Sequence, residues 1–254
     1  MSTQPRIVLI TGGNRGLGRS AALHLADRGF DAIITYRGNE AEAHAVCAEI
    51  AAKGRTAVAL QLEIGDTAAI APFADRVREV LATRFGGAPL TALINNAGAG
   101  AYAPIAQTSA AQLDALFAVH VKGPFLLTQA LLPVFADGGR ILNVSSGLAR
   151  FSMTGYAAYA MMKGAIEVFT RYLAVELGAR GIVVNTLAPG AIETDFGGGV
   201  VRDNPDVNRM IASATPLGRV GRPDDVGGAI AALLDDANGW INGQRIEVSG
   251  GING

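Results

Sequence analysis

The stretch Arg6-Ile7-Val8-Leu9-Ile10-Thr11-Gly12-Gly13-Asn14-Arg15-Gly16-Leu17-Gly18 decides the architecture. Its first five residues are mostly branched or long apolar side chains and read as a strand buried on both faces. The glycines that follow fall where this strand turns into a helix. A turn that tight needs positions without a Cβ, and it lets backbone N–H groups and the positive end of a helix dipole approach a pyrophosphate. Gly12, Gly16 and Gly18 carry the turn, with Asn14, Arg15 and Leu17 between them. Their spacing is not G-x-G-x-x-G, so taken alone they also fit a turn that simply requires glycine.

Working outward, short runs rich in Val, Ile and Leu recur at residues 32–35, 56–60, 92–94, 140–144, 183–187 and 245–248. Helical patterns at 41–53, 68–85, 110–135, 156–179 and 223–234 separate most of them. Strand and helix alternate, which predicts an α/β fold: a doubly wound parallel sheet of about seven strands, covered by helices on both faces. Gly54 and Gly181 stand where left-handed helix ends are expected, and Pro223 where a first helical turn accepts proline. Pro124 falls inside a helical pattern and predicts a bend, or a helix whose first part ends near Lys122.

With 254 residues, half of them apolar, one domain over 1–254 is expected. Charges nearly cancel at a net −1 and no polybasic run occurs, so neither nucleic acid nor a membrane surface is indicated as a partner. Residues 1–5 lack the features of a signal peptide, and every apolar stretch reads as too broken for the ~20 residues of a spanning helix. A cytoplasmic location is the expectation. Cys47 is the single cysteine, which excludes an intrachain disulfide and a cysteine-rich metal site. His24 and His44 lie on helical stretches away from any motif, and no metal site is expected.

The second strand ends Thr35-Tyr36-Arg37 without the acidic residue that usually holds a ribose 2′-hydroxyl. Arg37 together with Arg15 can clamp a 2′-phosphate, which favours NADPH over NADH. Either arginine singly fits a solvated surface residue. Tyr159 and Lys163 are spaced i, i+4, on one face of a predicted helix. A cation about 4 Å from the phenol, at an effective dielectric of about 20, interacts by ~4 kcal/mol, enough to bring tyrosine toward neutrality. Ser146 follows the run 140–144 at a strand tip, where its hydroxyl can support developing charge on a substrate oxygen. A tyrosine and a lysine four apart also fit an ordinary half-buried helix; co-occurrence with the other motifs decides against that.

The glycine loop, Asn95-Asn96-Ala97-Gly98, Ser146, Tyr159-x-x-x-Lys163 and Pro189-Gly190 together resemble the short-chain dehydrogenase/reductase family over nearly the whole chain. The stretches Gly218-Arg219-Val220-Gly221-Arg222-Pro223 and Val248-Ser249-Gly250-Gly251 resemble its bacterial 3-oxoacyl-[acyl-carrier-protein] reductase-like members. The resemblance implies a Rossmann-like three-layer fold. It implies Tyr159 as general acid, Lys163 as the residue that binds the nicotinamide ribose and lowers the tyrosine pKa, and Ser146 as the carbonyl-orienting hydroxyl. Asn96, Ala97 and Gly98 would line the adenine-ribose side, and Pro189, Gly190, Ile192 and Thr194 would border the nicotinamide. It also implies a homo-oligomer, tetramer or dimer. Within a substrate loop at about 191–215, Gly197, Gly198 and Gly199 read either as a mobile lid over the nicotinamide or as an ordinary surface loop.

Two positions depart from the family pattern. In Val119-His120-Val121-Lys122-Gly123, His120 stands where a relay asparagine is common; it reads either as a proton carrier that helps set the pH profile or as a structural histidine. In Gln61-Leu62-Glu63-Ile64, Glu63 stands where an aspartate tends to face the adenine amine. The reading that follows is a carbonyl reductase of a small-molecule substrate, reversible as an alcohol dehydrogenase. Against it stands a silent dinucleotide sensor that keeps the fold and loses turnover. Gly155, Tyr156 and residues 196–204 are the expected pocket walls, and Phe151 and Met153 read equally as an apolar wall or as core packing. A carrier-bound thioester substrate would want Arg150, Arg202 and Arg209 as docking charges.

Overall fold

A computed structural model describes residues 5–253. Strands β1 (Arg6–Ile10), β2 (Phe30–Tyr36), β3 (Ala57–Gln61), β4 (Leu90–Asn95), β5 (Phe135–Val144), β6 (Val183–Pro189) and β7 (Arg245–Val248) form one parallel sheet in the order β3-β2-β1-β4-β5-β6-β7. The helices are α1 (Gly16–Asp27), α2 (Glu40–Ala52), α3 (Ile70–Arg84), α4 (Ala110–Phe117), α5 (Gly123–Leu131), α6 (Ala157–Glu176), α7 (Val200–Asp203), α8 (Pro205–Ala214) and α9 (Pro223–Leu233). In β1, Ile7 and Leu9 join a core with Phe73, Val77, Leu127 and Leu173 on one face. Val8 and Ile10 join a second core with Leu25, Val46 and Ile230 on the other. Alternate side chains of a central strand thus serve opposite layers, each fully buried Ile or Leu contributing ~1.5–3 kcal/mol.

The stretch expected as one helix over 110–135 is broken. After α4 the backbone widens into a π-helical turn, Ala118–Lys122, in which the Gly123 N–H donates to Ala118 O. Pro124 has no N–H for the His120 carbonyl and its ring would press on it, so the wider turn falls where the sequence predicts the break. The run Ala110–Val134 is long and apolar enough by composition to cross a bilayer, contrary to the sequence expectation. Here Leu116, His120, Leu127 and Leu131 are buried within the fold. The last residue of the expected helix, Phe135, already begins β5.

Helix α8 is a further departure, because the sequence reading leaves 191–215 as a loop. Asn204 caps it by accepting from the Asp206 and Val207 N–H groups, and Pro205 occupies its first turn. Gly54 (φ 74°) and Gly181 (φ 65°) take the left-handed conformation expected of them.

Candidate active site

Sheet order reverses between β1 and β4, and the crevice outside their carboxyl ends is where such sheets bind ligands. The glycine loop is held there from both sides. The Gly12 N–H donates to Thr35 Oγ1 at 3.0 Å on β2. Toward β4, Thr11 Oγ1 accepts the Asn96 and Ala97 N–H groups, each at 2.9 Å. The Asn96 amide donates to Thr11 O at 2.8 Å and Gly12 O at 3.1 Å. Gly18 packs under this turn: a Cβ on it would lie 2.2 Å from Gly12 O. Side chains cap α2, α4 and α8, from Asn39, Ser109 and Asn204. Helix α1 has neither a side-chain cap nor an acid in its first turn, so its N–H groups stay open to an anion. These residues fit a pyrophosphate.

A cavity of about 860 Å³ runs from this loop to the tip of β6. Of the residues singled out from sequence, Asn14, Arg15, Leu17, Arg37, Glu63, Ala97, Gly98, Ser146, Tyr159, Lys163, Pro189, Gly190, Ile192 and Thr194 line it, with Gly12, Gly16 and Asn96; Gly18 and His120 lie behind its wall. At the adenine end, Glu63 forms an ion pair with Arg37 and accepts the Gly65 N–H at 3.3 Å. The carboxylate expected to face adenine is thus paired with Arg37. Arg15 reaches Asp195 at 3.7 Å, and the Asn14 amide donates to Glu42 at 2.9 Å. The expected arginine clamp is thus a pair of guanidiniums, each already facing a carboxylate. At the other end Thr194 packs toward the glycine loop, its methyl 3.6 Å from where a Gly16 Cβ would stand, and its hydroxyl accepts the Phe196 N–H at 3.2 Å.

Ser146 leaves the tip of β5, while α6 brings Tyr159 and Lys163 to the same wall. Lys163 is buried and donates to Val144 O at 2.8 Å. One turn on, Glu167 accepts from Ser145 Oγ at 2.6 Å, tying α6 to the strand end beside Ser146. Burial pushes the Lys163 ammonium down to about 8. The expected lowering of Tyr159 is not what these surroundings do. Burial raises the phenol above its ordinary value, the Ser146 hydroxyl offsets this only in part, and the Lys163 ammonium stands 5.6 Å from the ring centroid. The protein's own groups keep Tyr159 protonated.

His120 sits in the π-turn, edge-on to Tyr159 at 5.3 Å between centroids. Its Nε2 lies 2.8 Å from Ala99 O and 3.4 Å from Ala99 N, the shorter contact favouring a proton on Nε2, while Nδ1 is buried without a protein partner. Burial, then the nearby Lys163 charge, push the imidazole down to about 3. Burial thus favours the neutral imidazole near neutrality. A relay through it would have to run between neutral tautomers.

Sequence reasoning missed a buried polar chain beneath the site. The Asn95 amide donates to Asn143 at 2.8 Å and Thr128 at 3.2 Å, Asn143 donates to Thr170 at 2.8 Å, and Thr186 meets Thr170 at 2.7 Å. The available signal was an asparagine near the end of two otherwise apolar strands. Tyr102 and Met210 on the cavity wall were also missed.

The chain matches the family model described as Enoyl-(Acyl carrier protein) reductase over residues 12–253. It is 34% identical to an NADPH-dependent aldehyde reductase-like chloroplastic protein of Arabidopsis thaliana, over 97% of this chain and 93% of that one. Among solved structures it resembles a promiscuous reductase that catalyses keto-reduction at C1 during lugdunomycin biosynthesis, with a TM-score of 0.93, 36% identity and 98% of each chain covered. It also resembles an angucycline C-6 ketoreductase with bound NADP, with a TM-score of 0.92, 32% identity, and 97% and 95% of the two chains covered. Because these matches run from the glycine loop to the last strand, the chain belongs to the short-chain dehydrogenase/reductase family and is an oxidoreductase acting on C=O and CH–OH groups.

Proposed function

We propose that this oxidoreductase is an NADPH-dependent carbonyl reductase working through Ser146, Tyr159 and Lys163, with alcohol oxidation as its reverse. The observation that carries the reading is geometric: Ser146, Tyr159 and Lys163 meet on the wall of the same cavity as the glycine loop. The names of the Arabidopsis relative and of the NADP-bound ketoreductase support the choice of nicotinamide.

The glycine loop and the open end of α1 would hold the pyrophosphate, Lys163 the nicotinamide ribose, and Arg37 with Arg15 the 2′-phosphate. When bound, NADPH supplies the hydride. Ser146 donates a hydrogen bond to the substrate oxygen, and Tyr159 delivers its proton to that oxygen as charge develops there. Lys163 holds a positive charge below about pH 8, beside the phenolate left behind.

The test is carbonyl-dependent oxidation of NADPH. Tyr159→Phe is expected to lower kcat by at least ~10²-fold, in the range of a lost general acid, while the Kd for NADPH changes little. Equal turnover with NADH would overturn the cofactor assignment. Tight NADPH binding without turnover across a broad carbonyl panel would favour a silent sensor.

A homo-oligomer is part of the proposal. Met161, Val168, Tyr172 and Val175 are exposed at spacings that place them on one face of α6, and exposed Phe125 of α5 packs against Phe169 at 4.9 Å.

A further inference from the structure

We infer that Glu167 of α6 and Arg245 of β7 are positioning residues, which from outside the cavity set where Ser146 holds its hydroxyl; the inference rests on the reductase reading above. Three consecutive residues at the tip of β5 are gripped by three different side chains. Val144 O accepts from Lys163 Nζ at 2.8 Å. Ser145 Oγ donates to Glu167 Oε1 at 2.6 Å, and Ser146 O accepts from Arg245 Nη2 at 3.3 Å. Arg245 Nε in turn donates to the same Glu167 oxygen at 2.8 Å, so one ion pair holds both serines.

The hydroxyl is tied to this grip through the turn that follows it. Ser146 Oγ accepts the Leu148 N–H at 3.2 Å, and Ser146 O accepts the Ala149 N–H at 3.1 Å beside the Arg245 guanidinium. The turn thus occupies an acceptor site of Oγ and leaves its O–H free to donate. The far end of the turn is held as well. Glu247 Oε2 accepts from Arg245 Nη1 at 2.9 Å and from Arg150 Nε at 2.8 Å, and Glu247 Oε1 accepts from Arg150 Nη2 at 3.0 Å. Residues 146–150 therefore run between two arginines that share one carboxylate.

Glu167 and Arg245 are not among the residues that line the cavity, so any effect they have on the reaction passes through the serine turn. Their side chains are only 14% and 22% exposed. A pair so far withdrawn from water holds its geometry better than a solvated one, and removing one partner leaves a desolvated charge behind. Glu167 also stands one helical turn beyond Lys163, on the same side of α6. The helix that carries Tyr159 and Lys163 thereby fixes its own distance to Ser146, across the tip of β5. Misplacing a reacting group by about 1 Å can cost ~10²-fold in rate, which gives this distance its weight.

The experiment measures amide hydrogen exchange and turnover on the full chain with NADPH, using 9,10-phenanthrenequinone as the probe carbonyl. Glu167→Gln is expected to lower kcat about tenfold while the Kd for NADPH stays within about twofold. Arg245→Lys, which keeps the charge, is expected to lose less than Arg245→Gln. In a Ser146→Ala background, Glu167→Gln should cost less than about twofold, because the group it places is gone. Exchange over 145–151 should run about tenfold faster in Glu167→Gln, with α1 unchanged. Should that variant not fold, Glu167→Gln with Arg245→Gln removes both charges together. Equal losses of kcat in the two backgrounds would overturn the inference, and so would unchanged exchange over 145–151 or a Ser146→Ala enzyme as fast as the wild type. A wild type that oxidises no NADPH with this or any other carbonyl would sink the reductase reading instead, and the exchange result would then decide the role of the ion pair alone.

Discussion

At the residue scale, His120 has the clearest consequence. An unfolded histidine takes up a proton below about pH 6.5, whereas the folded chain holds this one neutral down to about 3. Between those values the unfolded state binds more protons, so this contribution to stability is present above the unfolded pKa and is lost as pH falls. From pH 7 to pH 5 the loss is about 2 kcal/mol. His120→Asn has no such group. Its unfolding free energy, measured by urea titration at the two pH values, is expected to gain about 2 kcal/mol on the wild type as pH drops. An unchanged gap would mean that His120 titrates normally in the fold. The identity of His120 as a site residue was legible from its place in Val119-His120-Val121-Lys122-Gly123. Its neutrality was not, because burial and the nearness of Lys163 come from the packing of the π-turn against α6. The same holds for Tyr159: spacing placed it beside Lys163, yet spacing carries no desolvation, and desolvation sets the sign of its shift.

At the scale of elements, seven strands in their places followed from apolar runs alone, since a parallel sheet buried on both faces writes itself as uninterrupted Val, Ile and Leu. Helix ends were less legible. Asn204-Pro205-Asp206 carries a cap, a first-turn proline and an acid, but three glycines just upstream drew the reading toward a loop. The π-turn illustrates what a one-dimensional pattern omits. Gly123 closes it, and a Cβ there would lie 2.3 Å from Ile64 O. Small size at this position lets α5 approach the chain beyond β3. Gly123→Ala is therefore expected to destabilise by ~1–3 kcal/mol, seen as a lower urea midpoint with an unchanged slope. An alanine variant as stable as the wild type would show that α5 can back away without loss.

At the scale of the whole molecule, the exposed face of α6 argues for association. Val175 is 82% exposed, and Met161 and Tyr172 are each more than 60% exposed on the same stripe. Sedimentation at micromolar concentration is expected to give a dimer or tetramer, and Val175→Glu with Val168→Asp to shift it toward monomer with the fold intact. A wild-type monomer at high concentration would remove the proposal.

Asp195 also links the two ends of the cavity in time. Its carboxylate faces Arg15 of the glycine loop at 3.7 Å and Arg202 of α7 at 2.6 Å. If Arg15 turns to the 2′-phosphate as proposed, the Asp195 carboxylate is left to Arg202, and the 195–203 segment that carries Phe196 is expected to order on dinucleotide binding. On that proposal the dinucleotide binds before the carbonyl substrate. Steady-state kinetics should follow a compulsory order, with NADP+ competitive against NADPH and noncompetitive against the ketone, and Asp195→Asn should blur that order toward random entry.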